Sequence, residues 1–247
     1  MSNLNVSEFN RDAKKKDHNN DETRILFTTI PSFPLNGPSD PDGHSEWIVR
    51  EPTKAKVINA PGYPKPVPKP KGAKPAYIIK PTPDKGLGVF ATRNIKMGEL
   101  IFAERPLLVI PSAIPFTGNN SMMHHYDLKT QMAIMKMEWE KLLEVALGRM
   151  KPGDKNAFMD LANSHKEDGS GPILGIVRTN GFSLGIFDGP ERRADGSNVY
   201  SGVIKIGSRI NHRYVCVCNI LHTFFLLGFT NNILKHDIHF YQAACLT

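Results

Sequence analysis

Asp84-Lys85-Gly86-Leu87-Gly88-Val89-Phe90-Ala91-Thr92, followed by Ile95-Lys96-Met97-Gly98-Glu99-Leu100-Ile101, is the stretch on which the reading of this chain turns. Two glycines one residue apart let a backbone approach a ligand closely, because no Cβ stands in the way. Val89-Phe90-Ala91 reads as a strand, Asn94 to Glu99 contains a turn, and Leu100 to Glu104 reads as the next strand. Upstream, Tyr77-Ile78-Ile79 reads as a short strand, and Pro106 to Pro111 adds an extended segment. Short strands punctuated by glycine predict a small β-rich fold. A lone G-x-G is a weak signal. G-x-G-V-F-A followed by I-K-x-G-E-x-I is far more specific.

Toward the C-terminus the pattern changes period. Leu128, Met132, Met135, Trp139, Leu142 and Ala146 recur at steps of four and three, which is one face of a helix over 125–148. Gly148 and Pro152 end it, and Asp154 is placed to cap a shorter second helix carrying Phe158, Leu161 and Ala162. The methionine-rich stripe suits a partner groove or packing against the protein's own core, and the second use is favoured. A polar loop, His165 to Pro172, follows. Strands are predicted at Gly175-Ile176-Val177, Phe182 to Ile186 and Val203 to Ile206. Two further segments offer polar groups at strand ends: Arg178-Thr179-Asn180-Gly181-Phe182-Ser183-Leu184 and Gly207-Ser208-Arg209-Ile210-Asn211-His212.

Toward the N-terminus order is expected to fade. Residues 1–60 are predicted to be largely disordered, with scattered apolar groups and no sustained period. From Pro61 prolines alternate with Lys65, Lys69, Lys71 and Lys74, so 61–76 reads as a stiff, extended linker. The 247-residue chain carries a formal net charge of +7 and an isoelectric point near 9.3. Much of the excess sits in the proline-lysine stretch, and no RNA- or DNA-reading motif accompanies it, so specific nucleic-acid binding is not expected. The three cysteines, Cys216, Cys218 and Cys245, make no disulfide framework and fit no standard zinc spacing. The N-terminus lacks the apolar core of a secretory signal, and an intracellular site, nucleus or cytoplasm, is expected.

Together and in this order, the three motif segments resemble the SET-domain family, most closely the fungal SET-and-MYND type without an evident MYND finger. The resemblance covers residues 77–212. It implies an α+β, mainly β, SET-type β-clip fold of small sheets, with an inserted α-helical segment at about 121–163. It also implies S-adenosylmethionine as cofactor and a lysine-bearing protein substrate, possibly histone. Carried over residue by residue, it implicates Lys85, Gly86, Leu87 and Gly88 of the G-x-G passage as cofactor contacts. Asn180 follows from the N-x-F segment, and Ser208, Arg209, Asn211 and His212 from the segment the family writes S-x-x-N-H-S-C-x-P-N.

After His212 the likeness stops. Arg213-Tyr214-Val215-Cys216 replaces the family's continuation, so the fold is expected to be incomplete at the C-terminus, with 213–247 a non-matching apolar tail. The family's tyrosine that orients the lysine amine has no counterpart here, and neither Tyr214 nor Tyr241 is given a catalytic role. Methyl transfer requires a neutral amine held at about 3–3.5 Å in a dry channel, so impaired activity is expected. Two alternatives stand beside the methyltransferase reading. One is a non-catalytic interaction module. The other is a tail-anchored membrane protein using 215–234, which Asn219, His222 and Thr223 disfavour because a span needs about 20 apolar residues.

Overall fold

The computed structural model describes residues 24–72, 74–84, 86–96, 98–113, 123, 125–186, 198–210, 220–228 and 234–242. For position 186 and the last two segments it describes the backbone path alone. In chain order the elements are β1 (Ile25–Ile30), β2 (Ser45–Arg50), α1 (Glu51–Ile58), β3 (Tyr77–Pro81), β4 (Leu87–Ala91), β5 (Leu100–Glu104) and β6 (Leu108–Pro111). They continue with α2 (Leu128–Arg149), α3 (Pro152–Met159), α4 (Pro172–Asn180), β7 (Gly181–Ile186), β8 (Val199–Val203), a 3-10 turn (Gly207–Arg209), β9 (Ile220–Gly228) and β10 (Leu234–Gln242). The result is a mixed α/β structure of small sheets, with four α-helices among the described residues.

The largest sheet has the order β1-β2-β6-β8-β7. Its pairs are antiparallel except β2 with β6, which run parallel. Both faces of the central strands are covered. Trp47, Val49 and Val109 enter one core with Val57, Phe102, Leu184, Tyr200 and Ile204. Their neighbours Ile48, Leu108 and Ile110 enter a second core with Leu143, Leu147, Phe158, Ile176 and Val203. Successive strand residues point to opposite faces, so a strand buried on both sides needs apolar groups at consecutive positions. Several of the polar groups inside are paired. The fully buried Tyr200 donates to Thr53 Oγ1 at 3.2 Å and accepts from the amide of Arg50 at 3.3 Å, which ties β8 to α1. Glu46 on β2 accepts from Thr29 Oγ1 at 2.7 Å and from the guanidinium of Arg149 at the end of α2. Burial raises the Glu46 carboxyl above its ordinary range despite these partners.

Several expectations are corrected. Residues 24–60 are not disordered: they supply β1, β2 and α1 to the main sheet and its core. The 61–76 segment is fastened at points along its length. Val67 is buried and its amide donates to Asp42 Oδ2 at 2.8 Å, while the carbonyl of Lys65 accepts from Arg105 at 3.1 Å. Gly175-Ile176-Val177 is helical, within α4, rather than a strand. Pro172 starts α4 at a position where its missing amide hydrogen costs nothing. The carboxylate of Glu140 on α2 accepts from the amides of Ile173 at 2.9 Å and Leu174 at 2.7 Å, so the cap comes from another element. The strand expected at Val203 to Ile206 ends at Val203 and gives way to the 3-10 turn.

The helix expected over 125–148 is α2, capped by Asp127, whose Oδ1 accepts from the amide of Thr130 at 2.7 Å. Its stripe divides. Ala146 is buried with Leu143 and Leu147, whereas Leu128 is 70% exposed and Met132 51% exposed. Met132, Met135 and Trp139 instead line one side of an open groove completed by Ile110, Leu174 and Val177. Within the tail, β9 and β10 form an antiparallel pair, and β10 also pairs with β5. No helix among the described residues is long and apolar enough to cross a membrane.

Candidate cofactor site

The G-x-G passage lies in a β3–β4 hairpin that forms its own two-stranded sheet. Gly86 has φ +67°, a conformation that side-chain-bearing residues adopt with difficulty. Its carbonyl accepts both the amide of Thr82 at 2.6 Å and the Thr82 hydroxyl at 2.9 Å, which closes the hairpin. A Cβ at Gly86 would meet nothing within 4 Å, so the backbone here faces open space. Leu87 is partly exposed opposite Pro81, and Gly88 is buried opposite Lys80. The downstream turn is built as its motif requires. Gly98 has φ +76°, and the carboxylate of Glu99 accepts from the amide of Lys96 at 3.1 Å and pairs with Arg93. The Arg93 guanidinium and the Lys96 amide hold the exposed Glu99 carboxyl down at about 2.

Asn180 closes α4 and is buried. Its amide nitrogen donates to the carbonyls of Ala162 and Ile176, both at 2.7 Å. Both amide hydrogens are thereby engaged in holding the end of α4, and the side-chain oxygen has no hydrogen-bond donor among the described residues. Gly181, next in the chain, tolerates no side chain: a Cβ would stand 2.8 Å from the carbonyl of Val177.

The third segment forms the Gly207–Arg209 turn, which lies against β4, with Cα atoms of the two within 8 Å of each other. The Ser208 hydroxyl points to the carbonyl of Asn180 at 3.5 Å. Strand β4, the end of α4 and the Gly207–Arg209 turn thus bring three separated parts of the sequence together. Arg209 makes no ion pair among the described residues. Lys85, Asn211 and His212 lie outside the described residues. No group of three His, Cys, Asp or Glu side chains able to hold a metal ion occurs among the described residues.

One residue of this region has a role that its reading as a strand residue did not reveal. Glu104, the last residue of β5, reaches the start of the turn, and its Oε1 accepts from the amides of Ile206 at 2.7 Å and Gly207 at 2.8 Å. Burial pushes its carboxyl up to about 7, although these amides and Lys205 pull in the other direction. A single acidic residue ending the apolar run Leu100-Ile101-Phe102-Ala103 was the available signal. Its partners, a hundred positions away, were not legible.

Mixed α/β architecture with small sheets and four helices among the described residues is compatible with a SET-like fold. Comparison with known proteins points the same way. The chain is 29% identical over 147 residues to the histone-lysine N-methyltransferase set5 of Schizosaccharomyces pombe, which supports a relationship with the SET family. That match covers 60% of this chain and 33% of the relative, so the chain spans about a third of the protein it resembles. No family model matches the chain. No solved structure matches it significantly.

Proposed function

We propose that this chain carries the cofactor-binding part of a SET-type protein-lysine N-methyltransferase that uses S-adenosylmethionine. The observation that carries this reading is the meeting of β4, the end of α4 and the Gly207–Arg209 turn. The similarity to a histone-lysine methyltransferase gives that meeting a chemical sense. The proposed domain runs over 77–212, with the helices of about 121–163 as an insertion in it. A histone or other lysine-bearing protein is the proposed substrate class, and nucleus or cytoplasm the proposed location.

The residues present suit the cofactor. The backbone at Gly86 is open to a ligand, and β4, which carries Gly88, lies beside the turn. Arg209, which makes no ion pair among the described residues, is a cation suited to the methionine carboxylate, and the hydroxyl of Ser208 and side-chain oxygen of Asn180 are suited to hydrogen bonds. Lys85, Leu87, Asn211 and His212 complete the proposed set. When bound, S-adenosylmethionine supplies a sulfonium methyl group for in-line transfer to an amine. The protein's task is to hold a neutral amine on that line, at about 3–3.5 Å and away from water.

The motif stops matching after His212, and no residue of this chain has been assigned the orientation of the amine. The proposal is therefore binding of the cofactor with little or no methyl transfer. Incubation of the full chain with methyl-labelled S-adenosylmethionine and either histones or a cell extract tests it. Labelling at or near background is expected. Substantial labelling that disappears in a Gly88→Trp variant would show that the chain holds a complete catalytic apparatus.

A further inference from the structure

The turn that carries Ser208 and Arg209 has little to fix it from within. Its own bonds run from the amide of Arg209 to the carbonyl of Ile206 at 2.9 Å and from the amide of Ile210 to the carbonyl of Gly207 at 3.0 Å. The amides that open the turn have no acceptor inside it, as at the start of any helical segment. Glu104 provides the acceptor from β5, taking the amides of Ile206 and Gly207 on one oxygen, with the amide of Lys205 beside them. Successive amides converging on one oxygen form a nest, and that acceptor satisfies donors that would otherwise be left unpaired where water is scarce. The competing anchor is weak, because the Ser208 hydroxyl reaches Asn180 only at 3.5 Å, the limit of a useful hydrogen bond. Where Ser208 and Arg209 stand relative to Gly86 and Gly88 is thus decided largely from behind the site, by one carboxylate.

We propose that Glu104 is a positioning residue for cofactor binding, clasping the Gly207–Arg209 turn so that it faces the Gly86–Gly88 strand. The inference rests on the cofactor reading given above. It concerns geometry rather than charge, because both amides converge on a single oxygen. A carbonyl oxygen at the same place can accept both. Glu104→Gln should therefore preserve the clasp. Glu104→Leu leaves the amides without an acceptor, and Glu104→Asp withdraws the oxygen by one methylene while keeping the charge.

Calorimetric titration of the full-length chain with S-adenosylmethionine, alongside the amide proton shifts of Ile206 and Gly207 without cofactor, tests this. Glu104→Leu and Glu104→Asp are expected to weaken binding about tenfold, and Glu104→Gln to stay within about threefold of the unmodified chain, as befits loss or retention of a buried acceptor. The Ile206 and Gly207 amide protons should keep their hydrogen-bonded shifts in the Gln variant and lose them in the other two. If Glu104→Leu fails to fold, the Asp and Gln variants carry the comparison. Unchanged affinity in the Asp variant, with the amide shifts displaced, would overturn the positioning role and leave the cofactor site intact. A folded unmodified chain that binds no S-adenosylmethionine would overturn the cofactor reading itself, and the amide shifts would still report whether the clasp exists.

Discussion

At the scale of single residues, Glu104 has the sharpest measurable signature. Its carboxyl is raised to about 7 from an ordinary 4.5, chiefly by burial. In an unfolded chain it returns to the ordinary value. Between those two pH values the folded protein keeps a proton that the unfolded chain has already released. The stabilising contribution of Glu104 is therefore fully present below pH 4.5, declines as pH rises, and is lost above about 7. Nearby titratable groups are Lys205 and Tyr77 on β3, whose own phenol is raised first by burial and then by Glu104 and stays neutral across this range. On β10, Ile238 pairs with Glu104, and Asp237 and His239 flank it in the chain. Urea denaturation of the unmodified chain and of Glu104→Gln across this range isolates the effect, because the other groups are common to both. The stability difference is expected to move in favour of the Gln variant by roughly 3 kcal/mol from acid to neutral pH. A difference that stays flat would mean that the carboxyl titrates in its usual range.

At the scale of elements, the helices show what a periodic pattern reveals and what it hides. The spacing from Leu128 to Ala146 located α2 within a few residues. It did not reveal that burial follows the C-terminal part of the helix. Leu143 and Leu147, off the expected stripe, are buried beside Phe158, whereas Leu128 and Met132 are exposed. Leu143→Ala should therefore destabilise the protein by about 2–5 kcal/mol, as cavity formation in a packed core does. Met132→Gln should change stability by less than about 0.5 kcal/mol. Thermal or chemical denaturation of the two variants decides the matter, and a large loss for Met132→Gln would mean that the groove is closed by packing. In α4, apolar and β-branched Ile176 and Val177 gave a local preference for strand. The helix is imposed by Pro172 at its start, by Glu140 from α2 and by burial of Ile173, Leu174, Ile176 and Val177. A cap that arrives from more than thirty positions away leaves no trace in a local window.

At the scale of the whole molecule, the parts most legible in the sequence were those whose signals are local. The β3–β4 hairpin, with its glycines, and the turn at Gly98 are set by backbone conformations that glycine alone adopts easily. The boundaries of β5 followed from the apolar run that Glu104 ends. Strand β2 escaped notice because it is buried on both faces, so Trp47, Ile48 and Val49 show no alternation to separate them from a scattered apolar loop. The rest of 24–60 carries no sustained period either, although the segment contributes two strands to the main sheet. Of the proposed cofactor residues, Gly86, Leu87, Gly88, Asn180, Ser208 and Arg209 could be named from motif order. What motif order could not supply was the support behind them, the clasp by Glu104 and the engagement of the Asn180 amide with Ala162 and Ile176.

Cofactor binding as proposed requires separated backbone segments to share one ligand. Titration of the isotopically labelled chain with S-adenosylmethionine, followed through backbone amide resonances, tests that most directly. The amides of Gly86 and Gly88 and those of Ser208 and Arg209 should shift together, along saturation curves with one common dissociation constant. Shifts confined to one of the two segments, or none in a folded chain at saturating cofactor, would contradict it.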